Sequence, residues 1–164
     1  MDLQEFNSAP ADRLRPALAA CCDVPCWVDG LLAKRPYGDL AALIAVADQS
    51  LRELDDDEVD CALQAHPRIG DRPQGAGTEA SWSRKEQSGV GEDPEIRESL
   101  ADGNRKYEQR FGRVFLICAT GLSAQEMLTS LRQRLTHDES TEAAVVHQEL
   151  HKIALLRLGK VVEA

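Results

Sequence analysis

The sequence predicts an all-α protein: a single-domain multi-helix bundle with one short extended apolar segment. Three observations carry this prediction. Apolar residues recur three and four positions apart along most of the 164-residue chain, the spacing of one helix face. Capping residues stand ahead of these runs, and glycines and prolines divide the chain into short pieces. Only Val114 to Gly121 has the composition of a strand, and no second strand is evident to pair with it. A chain of this length can bury one sizeable core.

Asn7 or Ser8 is expected to cap a first helix, with Pro10 near its first turn and Leu14, Ala17, Leu18 and Cys21 along one face. A second helix should run from Cys26 to Arg35 around Trp27, Leu31 and Leu32, stopping before Pro36-Tyr37-Gly38. Asp39 should cap a third, in which Leu40, Leu43, Ile44, Ala47 and Leu51 recur at helical spacing. Asp55, Asp56 and Asp57 suit a helix start, where negative charge offsets the partial positive charge of free amides; a metal-binding acidic cluster is the alternative. Val59, Ala62 and Leu63 supply the helix that follows, and it delivers His66. Pro67 disfavours helical geometry at the residue before it, so the imidazole should stand at a helix end and face a cavity. Gly70, Pro73, Gly75 and Gly77 mark the following loop.

Ser83-Arg-Lys-Glu86 fits a capping box opening the next helix. Asp93-Pro94 should start another, through Ile96, Leu100, Asn104 and Tyr107 to Phe111, ending at Gly112. The apolar segment from Val114 then leaves backbone groups without a neighbouring strand, so helix ends or a ligand should satisfy them. Ser123-Ala-Gln-Glu126 is a second capping box, ahead of Met127, Leu128, Leu131 and Leu135. The last long helix is expected from about Ser140 to Val162. Its stripe Val146, Leu150, Ile153 continues onto Arg157, so a guanidinium should point into the core and meet a carboxylate or an anionic ligand group; the alternative is an arginine snorkelling from the stripe's edge.

Charge and composition exclude several function classes. Nineteen Lys and Arg against 28 Asp and Glu give a net charge of −9, which opposes binding to nucleic acid or to anionic membrane surfaces. No apolar run is long enough to span a bilayer. Five cysteines, odd in number and mostly in helical or apolar contexts, point to a reducing, cytoplasmic compartment. His147-x-x-x-His151 has the spacing of two metal ligands on one helix face, but Glu149 stands at the wrong offset for the H-E-x-x-H motif, and no metal is expected.

The motifs HPRIGDRP, SWSRKEQSGV, NRKYEQRFGRVFLICATGLSAQEML and HKIALLRL, in this order and at compatible spacing, resemble the family of 2-oxo-4-hydroxy-4-carboxy-5-ureidoimidazoline (OHCU) decarboxylases. The resemblance covers essentially the whole chain; Val90 stands where many members carry leucine. It implies an all-α, homodimeric, cofactor-free enzyme that converts OHCU to (S)-allantoin in urate breakdown. It also implies that His66 and Glu86 are catalytic, and that Pro67, Ser83, Gln87, Phe115, Ile117, Ala119 and Arg157 bind substrate, the Phe115–Ala119 segment through its backbone. The competing reading is a non-catalytic helical interaction module. It would explain the acidic surface and the amphipathic helices, but leaves His66, Glu86, Gln87 and Arg157 without a task.

Overall fold

The structure, a computed structural model, describes residues 1–71 and 77–163. Among these residues are nine α-helices, one 3-10 turn and no strand. The chain divides into two compact units. The first joins residues 1–62 to the chain from Leu150 onward, and the second comprises residues 63–149.

The first unit opens with α1 (Leu3–Ser8), which the apolar periodicity does not reveal. Asn7 and Ser8 therefore lie inside a helix instead of capping one. Asn7 spends its amide on the main chain of Tyr37, its Nδ2 donating to the Tyr37 carbonyl and its Oδ1 accepting from the Tyr37 N–H, both at 2.9 Å. Pro10 itself is the N-cap of α2 (Ala11–Cys21). The next helix, α3, spans Pro25–Ala33, and α4 spans Leu40–Arg52, with Asp39 accepting from the Ala42 amide as expected. α3 packs on both α2 and α4. Phe6, Leu14, Leu18, Trp27, Leu31, Leu43 and Leu51 are fully buried in this unit. The Trp27 indole N–H reaches the Ala47 carbonyl at 3.3 Å, satisfying the polar atom that so large a buried ring carries.

The acidic run at Asp55 is a helix start. Asp55 accepts from the Glu58 amide at 2.9 Å while Glu58 accepts from the Asp55 amide at 3.0 Å, a reciprocal cap that opens α5 (Asp56–Leu63). All five cysteines are free thiols.

In the second unit the turn after α5 leads into the loop at Gly70 and Asp71; Pro73 and Gly75 lie outside the described residues. α6 (Thr78–Glu86) has its N-cap at Gly77, six residues before the expected cap Ser83. Ser83 is therefore helical, 3 % exposed and inside α6, and Glu86 ends the helix instead of capping its start. A capping serine needs extended backbone, which Gly77 supplies in its place. A 3-10 turn, Gln87–Val90, follows. α7 (Pro94–Phe111) begins at Asp93, whose carboxylate accepts from the Glu95 and Ile96 amides, and ends at left-handed Gly112 (φ 67°). The Ser123–Glu126 box is present with both of its bonds and opens α8 (Ala124–Arg134), which packs against α7. Leu100, Tyr107, Phe111, Phe115, Ile117, Met127 and Leu131 form the core of this unit.

The segment from Val114 to Ala119 forms no strand. Two of its backbone groups are bonded by side chains from helices: Arg134 donates to the Leu116 carbonyl at 2.6 Å, and the Cys118 amide donates to Glu149 at 2.7 Å. Arg134 is itself held by Glu142, which is wholly buried and also accepts from the Tyr107 hydroxyl and meets His137 Nδ1. Glu142 and Glu149 both lie on α9 (Glu139–Val161).

Candidate functional site

His66 stands where its sequence context places it. α5 stops at Leu63, the His66 N–H closes a turn onto the Leu63 carbonyl at 3.0 Å, and Pro67 follows. The half-buried imidazole lines a cleft of about 280 Å³ whose walls are Gln64, Ala65, His66 and Pro67 on one side and Glu79, Ala80 and Ser83 of α6 on the other. Residues 79, 83 and 86 step by four and three, so Glu86 shares the α6 face of Glu79 and Ser83, but it stands half-buried at the helix end and is not among the residues that line this cleft. The cleft thus gathers an imidazole, a buried hydroxyl and a carboxylate, groups able to move a proton and to orient a small polar molecule.

The other expected site residues fall elsewhere. Gln87 lines a second cleft, of about 430 Å³, with Gly70, Asp71, Arg84, Ser88, Val90, Gly91, Glu92 and Arg97. Its Oε1 accepts from the Gly70 amide at 3.0 Å and its Nε2 donates to the Arg68 carbonyl at 3.4 Å. Phe115, Ile117 and Ala119, two residues apart along an extended backbone, all turn their side chains into the apolar core and are 0, 7 and 4 % exposed.

Arg157 belongs to the first unit. It points inward as its stripe predicts and is 2 % exposed, with Nη1 donating to the Ala20 carbonyl at 2.9 Å. His151 Nε2 meets Asp48 Oδ1 at 2.7 Å, an ion-pair partner for the imidazole in its protonated form. Among the described residues no group of three His, Cys, Asp or Glu stands as a metal site.

Sequence reasoning did not find Gln64 and Glu79, which line the His66 cleft, nor that Arg97, Asn104 and Glu108 of α7 bond residues 68 to 70 beyond it. A signal for Glu79 was present. Glu79 and Ser83 are four residues apart, hence on one face once the helix is extended back to Thr78.

The comparisons with known proteins bear on the whole chain. Over 163 residues it is 25 % identical to the uric acid degradation bifunctional protein of Bacillus sp. (strain TB-90), covering 98 % of this chain but 32 % of that one. The chain thus spans about a third of the length of that bifunctional relative. It is 26 % identical over 164 residues to the 2-oxo-4-hydroxy-4-carboxy-5-ureidoimidazoline decarboxylase of Haloferax volcanii, covering 98 % of this chain and 95 % of that one. A crystal structure of OHCU decarboxylase in the presence of (S)-allantoin shares the fold, with a TM-score of 0.78 at 24 % identity over 91 % of this chain and 99 % of that one. The family model described as OHCU decarboxylase matches residues 7–159, so the chain belongs to the OHCU decarboxylase family.

Proposed function

We propose that this chain, acting as one catalytic domain over residues 1–164, decarboxylates OHCU to (S)-allantoin without a cofactor. The observation that carries the reading is His66, fixed by Pro67 at a helix end and lining a cleft with Ser83 and Glu79. Names of relatives in two of the comparisons point to the same reaction.

The substrate's own chemistry makes a cofactor unnecessary. The departing carboxylate is attached to a carbon next to the ring C=N, so the electron pair left by CO₂ moves into that imine. What remains for the protein is to hold the anion, set the breaking bond against the ring plane, take the hydroxyl proton as a carbonyl forms, and deliver a proton to one face. His66 takes the acid–base role at the hydroxyl, for which an imidazole is suited near neutrality. Glu86 orients His66 or a substrate donor, Gln87 pairs with ureido or ring amide groups in exchange for the loop bonds its amide makes at Arg68 and Gly70, and Arg157 binds the anionic end. Pro67 and Ser83 wall the cleft. Backbone groups of the segment carrying Phe115, Ile117 and Ala119 offer further donors and acceptors.

The net charge of −9 and the free thiols support a cytoplasmic protein, and among the described residues no helix is long and apolar enough to cross a membrane. We assign it a homodimeric state on family membership alone. His66→Ala tests the scheme. The folded variant should lose OHCU turnover, and full turnover in that variant would remove His66 from the chemistry. A non-catalytic interaction module would show no acceleration even in the wild-type protein.

A further inference from the structure

His66 and Pro67 lie between two anchors, and the second is not made by secondary structure. On the N-terminal side the His66 amide is tied to Leu63. On the C-terminal side, side chains take hold of the backbone of residues 68 to 70. Asn104 Nδ2 donates to the Ile69 carbonyl at 2.8 Å, and Arg97 Nη2 donates to the Gly70 carbonyl at 3.0 Å. Gln87 bonds the Gly70 amide, and Arg68 Nη2 donates to Glu108 Oε2 at 3.0 Å. Arg97 also reaches the Gly91 carbonyl at 3.1 Å through Nη1, bracing the loop against the end of the 3-10 turn.

Residues 97, 104 and 108 are spaced by seven and four, which places them on one face of α7. That face is a template on which the loop after the His66-Pro67 pair is laid down. Gly70 has a φ of 93°, a conformation that side chains resist, so the backbone turns sharply just where the template ends.

Asn104 is the unusual member. It is 3 % exposed, its neighbours on α7 are core residues, and its Oδ1 finds no partner among the described residues. Leucine of similar size would serve packing without burying an unsatisfied acceptor. What asparagine adds at this position is the Nδ2 bond to Ile69.

We propose that Asn104 and Arg97 are positioning residues that set the place of His66 by fixing the main chain at Ile69 and Gly70. This rests on the reading of His66 as the acid–base group. The rigid ring of Pro67 passes a displacement at Ile69 back to the imidazole, and a misplacement of ~1 Å is enough to lower turnover roughly 100-fold.

Asn104→Leu tests this directly. In the folded variant, kcat for OHCU should fall roughly 10- to 100-fold with KM within about threefold, because substrate contacts are intact while the acid–base group is misplaced. Arg97 is only half-buried, so Arg97→Ala is a second variant that retains the core. It should lower kcat about 3- to 30-fold, and Arg97→Lys should recover part of the loss through its remaining donor. The imidazole resonance of His66, assigned by its absence in His66→Gln, should shift in Asn104→Leu and in Arg97→Ala. Unchanged kcat in both folded variants, or an unmoved His66 resonance, overturns the proposal. If the wild-type protein itself does not turn over OHCU, the functional reading fails. The resonance measurement then decides the positioning claim alone: a shift supports it and no shift overturns it.

Discussion

Replacing Glu142 by alanine should be among the most damaging single changes in the second unit. Its carboxylate is wholly buried and accepts from Arg134 Nε at 2.8 Å, from Arg134 Nη2 at 2.6 Å and from the Tyr107 hydroxyl, with His137 Nδ1 at 2.9 Å. The Arg134 side chain is 5 % exposed and lies 4.6 Å over the Phe115 ring. Removing the carboxylate leaves that guanidinium buried with the Leu116 carbonyl and two aromatic faces, and strands the Tyr107 hydroxyl. Breaking a buried pair in this way costs about 3–5 kcal/mol, against a total stability of about 5–15 kcal/mol for an ordinary domain. With a urea dependence near ~2 kcal/mol per molar, the unfolding midpoint should fall by roughly 2 M. The double variant Arg134→Met/Glu142→Leu removes both charges and should recover part of the loss, since its remaining defects are two neutral unbonded groups, the Leu116 carbonyl and the Tyr107 hydroxyl. Urea titration of wild type, single and double variants by far-UV circular dichroism measures both quantities. A Glu142→Ala protein within about 1 kcal/mol of wild type, or a double variant as unstable as the single, would refute the account of how the extended segment is held.

Three further outcomes follow from the geometry. A Cβ at Gly89 would lie 1.9 Å from the Leu122 carbonyl oxygen, so Gly89→Ala must push the 3-10 turn and the 121–122 turn apart; we expect a loss of about 1–3 kcal/mol in urea unfolding, and a neutral result would show that this close approach yields freely. Burial, with Cys21 and Asp23 adding to it, pushes the Cys22 thiol up to about 12. The folded state therefore holds this proton more tightly: the contribution is fully present below about pH 9 and is lost as pH rises towards 12. The fall in unfolding free energy above pH 9 should be shallower in Cys22→Ala, and identical slopes would contradict the assignment. Arg157→Lys should raise KM for OHCU about tenfold by losing the planar fork, and an unchanged KM would place Arg157 outside the substrate site.

Much of the helical plan was legible because its signals are local. Asp39, Asp93-Pro94 with Gly112, and Ser123 with Glu126 mark ends whose caps involve residues within four positions of one another. The misreadings have local causes too. Asn7 resembles a cap but pairs with Tyr37, 30 residues away, and S-x-x-E at Ser83 is a motif shared by helix starts and helix interiors. What sequence could not supply is the pairing of distant side chains. The composition of Val114–Ala119 is that of a strand, and its actual partners, Arg134 and Glu149, lie 18 and 31 residues further on. Within the candidate site, His66, Pro67 and Ser83 line one cleft. Gln87 is occupied by the loop beyond His66, a use that its adjacency to Glu86 does not reveal.

The most direct test of the central claim is stereochemical. OHCU generated from urate in situ should be followed by circular dichroism with and without the wild-type protein, in buffer containing chelator. Spontaneous decay gives both enantiomers of allantoin and hence no lasting signal. Rapid growth of the (S)-allantoin signal, dependent on the protein and indifferent to chelator, is the result this account predicts. Slow, optically inactive decay in the presence of demonstrably folded protein would contradict it.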